Sequence, residues 1–214
     1  MVKARGSSEK APDSVSEFER GMTLIEMVVS MTIFLIFIAL VLSTTVTLAQ
    51  STTRTQLTAE ASNQALSVFG AFDRQVRYAD VILPPTKGAS GAYYVSYRTP
   101  PGLTSGGGAT CTQWRYSPTS ALLESRTWTE KRTGAMPPYS LKMSQVIPRA
   151  GGKSPFELTP IAEGGPTMQS LTVTLKAGND DLKAGAEMST TFVARNSSSD
   201  APDLDSACSA GEIK

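Results

Sequence analysis

Glu26 is the one charged side chain between Arg20 and Arg54, and it stands at the head of a run reading MTLIEMVVSMTIFLIFIALVLSTTVTLAQ. An unpaired carboxylate in hydrocarbon is expensive, so such charges are rare and mark function. Its one resource is its negative charge, so the chemistry open to it is electrostatic. Other reactive groups are few. The chain has no histidine, which removes the commonest general base and the commonest metal ligand together. Asp, Glu, Lys or Cys could still act, but no spacing among them forms a catalytic motif. The reading is therefore a non-enzyme, with no cofactor and no metal.

Cys111 and Cys208 are 97 residues apart, a separation that fits no metal motif. A membrane-like segment ahead of them places them outside the cytoplasm, where a disulfide persists. A Cys111–Cys208 bond is expected, with two unrelated buried thiols as the alternative. Closing so long a loop would remove about 4–5 kcal/mol of unfolded-state entropy on the chain-entropy account.

These groups need elements to position them. The chain has 214 residues and a net charge of +1, which argues against bulk-charge binding of nucleic acid but leaves room for a local basic patch. Residues 1–21 carry four basic and four acidic side chains and too little apolar surface to fold, so a disordered leader is expected. Residues 27–50 hold no charge. As a helix, residues 27–49 would reach roughly 35 Å, enough to cross a bilayer with some tilt. The hydroxyl cluster Ser43, Thr44, Thr45 and Thr47 has weak helix propensity and is where such a helix would most easily loosen.

The helical signal continues past the apolar run. Leu57, Ala61, Ala65, Val68, Phe72, Val76 and Ala79 recur at spacings of three and four, an amphipathic stripe. Proline first interrupts it at Pro84–Pro85. One helix over about residues 23–80 is expected, roughly 85 Å long. Beyond it the pattern becomes strand-like. Residues 92–97, 112–116, 122–129, 141–147, 170–175 and 188–194 read as strands, with a glycine-rich loop at 100–110 and a turn beginning at Gly178. They form one antiparallel sheet whose apolar face needs the helical stripe as its cover. Trp114, Tyr116, Leu123 and Trp128 read as core or sheet surface rather than a ligand platform.

Gly21, Met22 and Glu26, followed by the long uncharged run, resemble the processing and methylation motif of type IV pilins and type II secretion pseudopilins. The resemblance covers about 30 residues. It implies cleavage of the Gly21–Met22 bond by a prepilin peptidase and N-methylation of Met22. Family members more often have phenylalanine where Met22 stands. The amine created at Met22 lies one helical turn from Glu26, and in a packed bundle it can neutralise the Glu26 carboxylate of a neighbouring subunit. Partners implied are the peptidase, other pilin or pseudopilin subunits met through the N-terminal helix, and an assembly platform protein with its ATPase. A surface, DNA or secreted substrate is the kind of ligand the distal domain would meet. The long leader without net positive charge leans toward a Gram-positive system. Cys208 fits the family's C-terminal cysteine position, whereas Cys111 lies far upstream of where a short C-terminal disulfide loop would need it.

The expected fold is α+β, a long N-terminal helix packed on a C-terminal antiparallel β domain as in pilins. Residues 1–21 would be the cytoplasmic leader, 22–49 the transmembrane and assembly helix, 50–82 its amphipathic continuation, and 83–214 the extracytoplasmic domain. The function expected is that of a minor pilin or pseudopilin subunit of a pilus, secretion or DNA-uptake fibre. Two rivals stand beside it. One is a single-pass anchored extracellular binding module. The other is a secreted β-rich protein cut after Ala49, against which the length of the apolar run counts.

Overall fold

The computed structural model describes residues 23–103, 107–130, 132, 134–179, 184–199 and 208. The chain divides into two units, residues 1–49 and 50–214. Helix α1 (Leu24–Arg77) supplies the described secondary structure of the first unit and the only described α-helix of the second. In the first unit it is exposed along its length, and its large side chains, such as Leu24, Phe34 and Leu48, face outward. The helix passes through the 43–47 hydroxyl cluster without a break. The threonines there return their hydroxyls to the preceding turn: Thr45 donates to the Val41 carbonyl at 2.8 Å and Thr47 to the Ser43 carbonyl at 2.9 Å. Such bonds satisfy a hydroxyl internally, so the segment can remain helical in an apolar medium.

In the second unit α1 buries Ala61, Ala65, Val68, Phe69, Phe72 and Val76. Its last turn carries Arg74 and Arg77, favourable against the carboxyl end of the helix dipole. It ends at Arg77, short of the expected boundaries at 80 and 82. The chain instead turns at Ala79 and enters a strand, because Val81 and Ile82 find backbone partners on a neighbouring strand. The amphipathic continuation is thus 50–77.

The strands form two antiparallel sheets where one was expected. The first takes β1 (Val81–Ile82), β2 (Thr86–Lys87), β3 (Tyr93–Thr99), β4 (Thr110–Ser117), β5 (Leu122–Thr129) and β6 (Ser140–Met143), in the order β1-β3-β4-β5-β6, with β2 also on β3. The second takes β7 (Val146–Ile147), β8 (Phe156–Thr159), β9 (Ser170–Asn179) and β10 (Ala184–Val193), in the order β10-β9-β7, with β8 also on β9. The apolar run at 141–147 is therefore not one strand. It divides between the sheets at Ser144–Gln145, where Gln145 has φ of 55°. Gly178 and Gly185 face each other across β9 and β10. A Cβ on Gly178 would lie 2.2 Å from the Ala184 carbonyl oxygen, so only glycine permits this approach.

Both sheets share the core with the helix. Phe72 stacks on Trp114 of β4 with ring centres 4.2 Å apart and lies 5.9 Å from Phe192 of β10. Buried aromatic tips need polar partners, and Gln75 of α1 supplies them. Its Oε1 accepts from Trp114 Nε1 at 3.2 Å and from the Tyr97 hydroxyl, while the Tyr97 oxygen accepts from Trp114 Nε1 at 2.7 Å. Gln169 closes the seam between the sheets. Its side chain accepts from the Ile82 amide at 2.7 Å and donates to the Ile82 carbonyl at 3.1 Å, as a neighbouring strand would.

Candidate functional site

The head of α1 is built by Thr23. Its hydroxyl accepts from the Glu26 amide at 3.3 Å, and its carbonyl accepts from the amides of Glu26 at 3.0 Å and Met27 at 3.2 Å. Thr23 is thus the N-cap and Glu26 the third helical residue, the spacing of a capping box. This role for Thr23 was missed in the sequence reading, although Thr-Leu-Ile-Glu is a legible signal for it. The consequence for Glu26 is positional. The first turn is where four amides lack intrahelical acceptors and where a carboxylate is favoured by the helix dipole. Among the described residues the Glu26 carboxylate has no ion-pair partner. Gly21 and Met22, the expected cleavage and methylation residues, lie outside the described residues.

Behind the cap the helix offers an 18-residue window of mean hydropathy 2.7, none of it buried within the chain. Length and apolarity suffice to cross a membrane.

Cys111 and Cys208 are bonded, with Cα atoms 5.7 Å apart. Cys111 is the second residue of β4, opposite Arg98 and Trp128. The disulfide, Trp128, Leu83 and Met136 make a small apolar cluster separate from the main core. Trp114, Tyr116, Leu123 and Trp128 are all buried, which leaves none of them as an exposed platform.

Two charged groupings complete the distal unit. Arg98 lies between Asp80 and Glu130, its Nε 2.6 Å from Glu130 Oε1 and its Nη1 on Asp80. Burial raises the Asp80 carboxyl above its ordinary value, against the attraction of Arg98, which lowers it. Beside this trio a cleft of about 380 Å³ is lined by residues including Pro101, Gly108 and Thr129. Its guanidinium is already shared by two carboxylates. The second grouping is a local basic patch. The guanidinium carbons of Arg115 and Arg126 lie 3.9 and 4.4 Å from the Tyr139 ring centre. Arg115 also pairs with Glu124, and Arg126 donates to Gln113. Burial holds the Tyr139 phenol above its ordinary value, while the nearby Arg126 charge lowers it. These cations are engaged inside the domain. Among the described residues no three His, Cys, Asp or Glu side chains gather as a metal site.

The capped head, its carboxylate and the uncharged helix are similar to the N-terminal segment of type IV pilin and pseudopilin-type proteins. The family described as carrying the prokaryotic N-terminal methylation motif matches this chain over residues 18–42. That motif implies processing by a prepilin peptidase and assembly with other pilin subunits. No curated protein and no solved structure matches the chain.

Proposed function

We propose that this chain is a non-enzymatic minor pilin or pseudopilin, cut between Gly21 and Met22, N-methylated at Met22, and assembled through the uncharged part of α1. One observation carries the reading. What supports it is a Thr23-capped helix with no charge beyond Glu26 until Arg54, so that a single carboxylate stands in the first turn, where in this reading the amine of a processed neighbour pairs with it. Outside such an assembly that carboxylate is a liability in hydrocarbon. Paired with an amine it serves as a register mark. The leader is cytoplasmic in this reading, the 50–214 unit is extracytoplasmic, and the buried Cys111–Cys208 bond suits that compartment.

N-terminal mass analysis of the protein from its native membrane tests the first step. The expected mature chain begins at Met22 with one added methyl. A start at Gln50 would replace this reading with the secreted one. An intact leader in cells with active peptidase would leave only the anchored binding module.

A further inference from the structure

Among the described residues β10 closes one end of the second sheet, and that edge lacks the devices that normally protect one. Strand β10 runs ten residues, Ala184–Val193, paired with β9 residue by residue and without a bulge. Its sequence, AGAEMSTTFV, has no proline, lysine or arginine and one charge, Glu187. Natural sheets blunt such edges with short strands, lysine, proline or bulges, because unpaired backbone groups recruit other strands. Gly185, Glu187, Ser189, Thr190, Thr191 and Val193 are exposed.

The backbone groups that face outward can be assigned. The Thr174 amide donates away from β10 to the Pro155 carbonyl at 2.9 Å, and the Gly178 amide donates to the Gln145 carbonyl at 3.0 Å. Their partners across the ladder are Ser189 and Gly185. At those pairs β9 and β10 exchange no backbone bond, so the amides and carbonyls of Gly185 and Ser189 point to the open side. Antiparallel alternation extends this to Glu187, Thr191 and Val193. The side chains follow the same alternation. Ser189 and Thr191 carry the outer hydroxyl ladder, bonded to Thr174 and Thr172 at 2.8 Å each. Ala186 and Met188 lie half-buried against the core.

We propose that β10 is the docking rail for an extended segment of another polypeptide, added antiparallel as a further strand. The segment is apolar at alternate residues to continue the Ala186–Met188 side, bears serine or threonine at the others, and sets a lysine or arginine opposite Glu187. Main-chain bonds then supply affinity and the alternating side chains supply specificity. Strand β9 already shows this pattern on the other side of β10, with Lys176 opposite Glu187. This inference goes beyond the assembly reading and holds whether or not the N-terminal helix assembles.

The probe is a labelled synthetic peptide of residues 170–179, SLTVTLKAGN, titrated onto the full-length chain in detergent micelles. With Lys176 of the peptide opposite Glu187, the even-numbered peptide amides face β10 and the odd-numbered ones face solvent. N-methylating the peptide at Thr174 and Lys176 should weaken binding at least tenfold, whereas N-methylating Val173 and Leu175 should leave it within twofold. On the protein, Glu187→Lys should weaken binding at least fivefold. Ser189→Pro, which removes an amide that β9 does not use, should abolish it. Absence of binding by the unmodified peptide, equal loss for the two N-methylated peptides, or full binding to both protein variants would each overturn the proposal. The peptide-side pair keeps the test independent of variant folding, and mass analysis of the processed terminus separates it from the assembly reading.

Discussion

Phe72→Ala should unseat the helix from both sheets while leaving the membrane segment untouched. Phe72 is fully buried, stacked 4.2 Å from Trp114 at 24°, with Phe192 at 5.9 Å and Phe156 at 6.2 Å. Truncating a buried phenylalanine costs about 3–5 kcal/mol, the transfer loss plus the cavity left behind. Three rigid aromatic neighbours limit collapse into that cavity, so the upper half of the range applies. Against a total stability of about 5–15 kcal/mol this is a large share. For a unit of this size each kcal/mol moves Tm by roughly 2–4 °C, giving a fall of roughly 8–20 °C. The assay is thermal unfolding of the full-length chain in micelles, followed through near-ultraviolet circular dichroism, to which the clamped Trp114 contributes. Leu66→Ala on the same helix is the control. Leu66 is 60% exposed, and its truncation should stay within about 0.5 kcal/mol. Residues 24–49 have no buried contact to lose, so membrane extraction should match wild type. The reasoning fails if Phe72→Ala melts within 2 °C of Leu66→Ala.

Glu26→Gln should leave membrane insertion and Met22 processing intact while lowering incorporation into sheared fibres; equal fibre and membrane fractions for the two proteins would refute the pairing role. Because Cys111 and Cys208 are buried, thiol reductant should cut their bond slowly in the folded protein and quickly in denaturant. Once reduced, the domain should lose up to about 4–5 kcal/mol, read by chemical denaturation with peptide mapping. Burial raises the Asp80 carboxyl, so only between the unfolded value of about 3.9 and the raised value does the folded state hold a proton that the unfolded state has released. Stability should fall as pH rises from about 3.9 through the raised value, and Asp80→Asn should flatten that slope. The same sign applies at the alkaline end. Burial pushes Tyr116 up to about 12, so stability should drop as pH climbs from about 10 toward that value, less steeply in Tyr116→Phe.

Local pattern carries information as far as the chain's own period reaches. The charge-free run, the isolated Glu26 and the three-four stripe from Ala61 to Val76 are properties of consecutive residues, so helix α1 and its division into an exposed apolar part and a half-buried part were legible before any coordinates. The strand at 122–129 was legible too, because alternation and flanking turns define it locally. Tertiary partners decided what local pattern leaves degenerate. Val81 and Ile82 could have continued the helix; the backbone of Tyr97 and Arg98 made them a strand. The run 141–147 has no internal signal at Ser144–Gln145, yet its halves pair with β5 and β9 in different sheets. No local pattern marks Gln75 or Gln169, and only packing turned one into the acceptor for Tyr97 and Trp114 and the other into a substitute strand for Ile82. The edge position of β10 among the described strands belongs to the same class. A strand's sequence records which side chains it buries, but strand order across a sheet is set by contacts distant in the chain, so only the assembled fold shows which backbone is left without a partner.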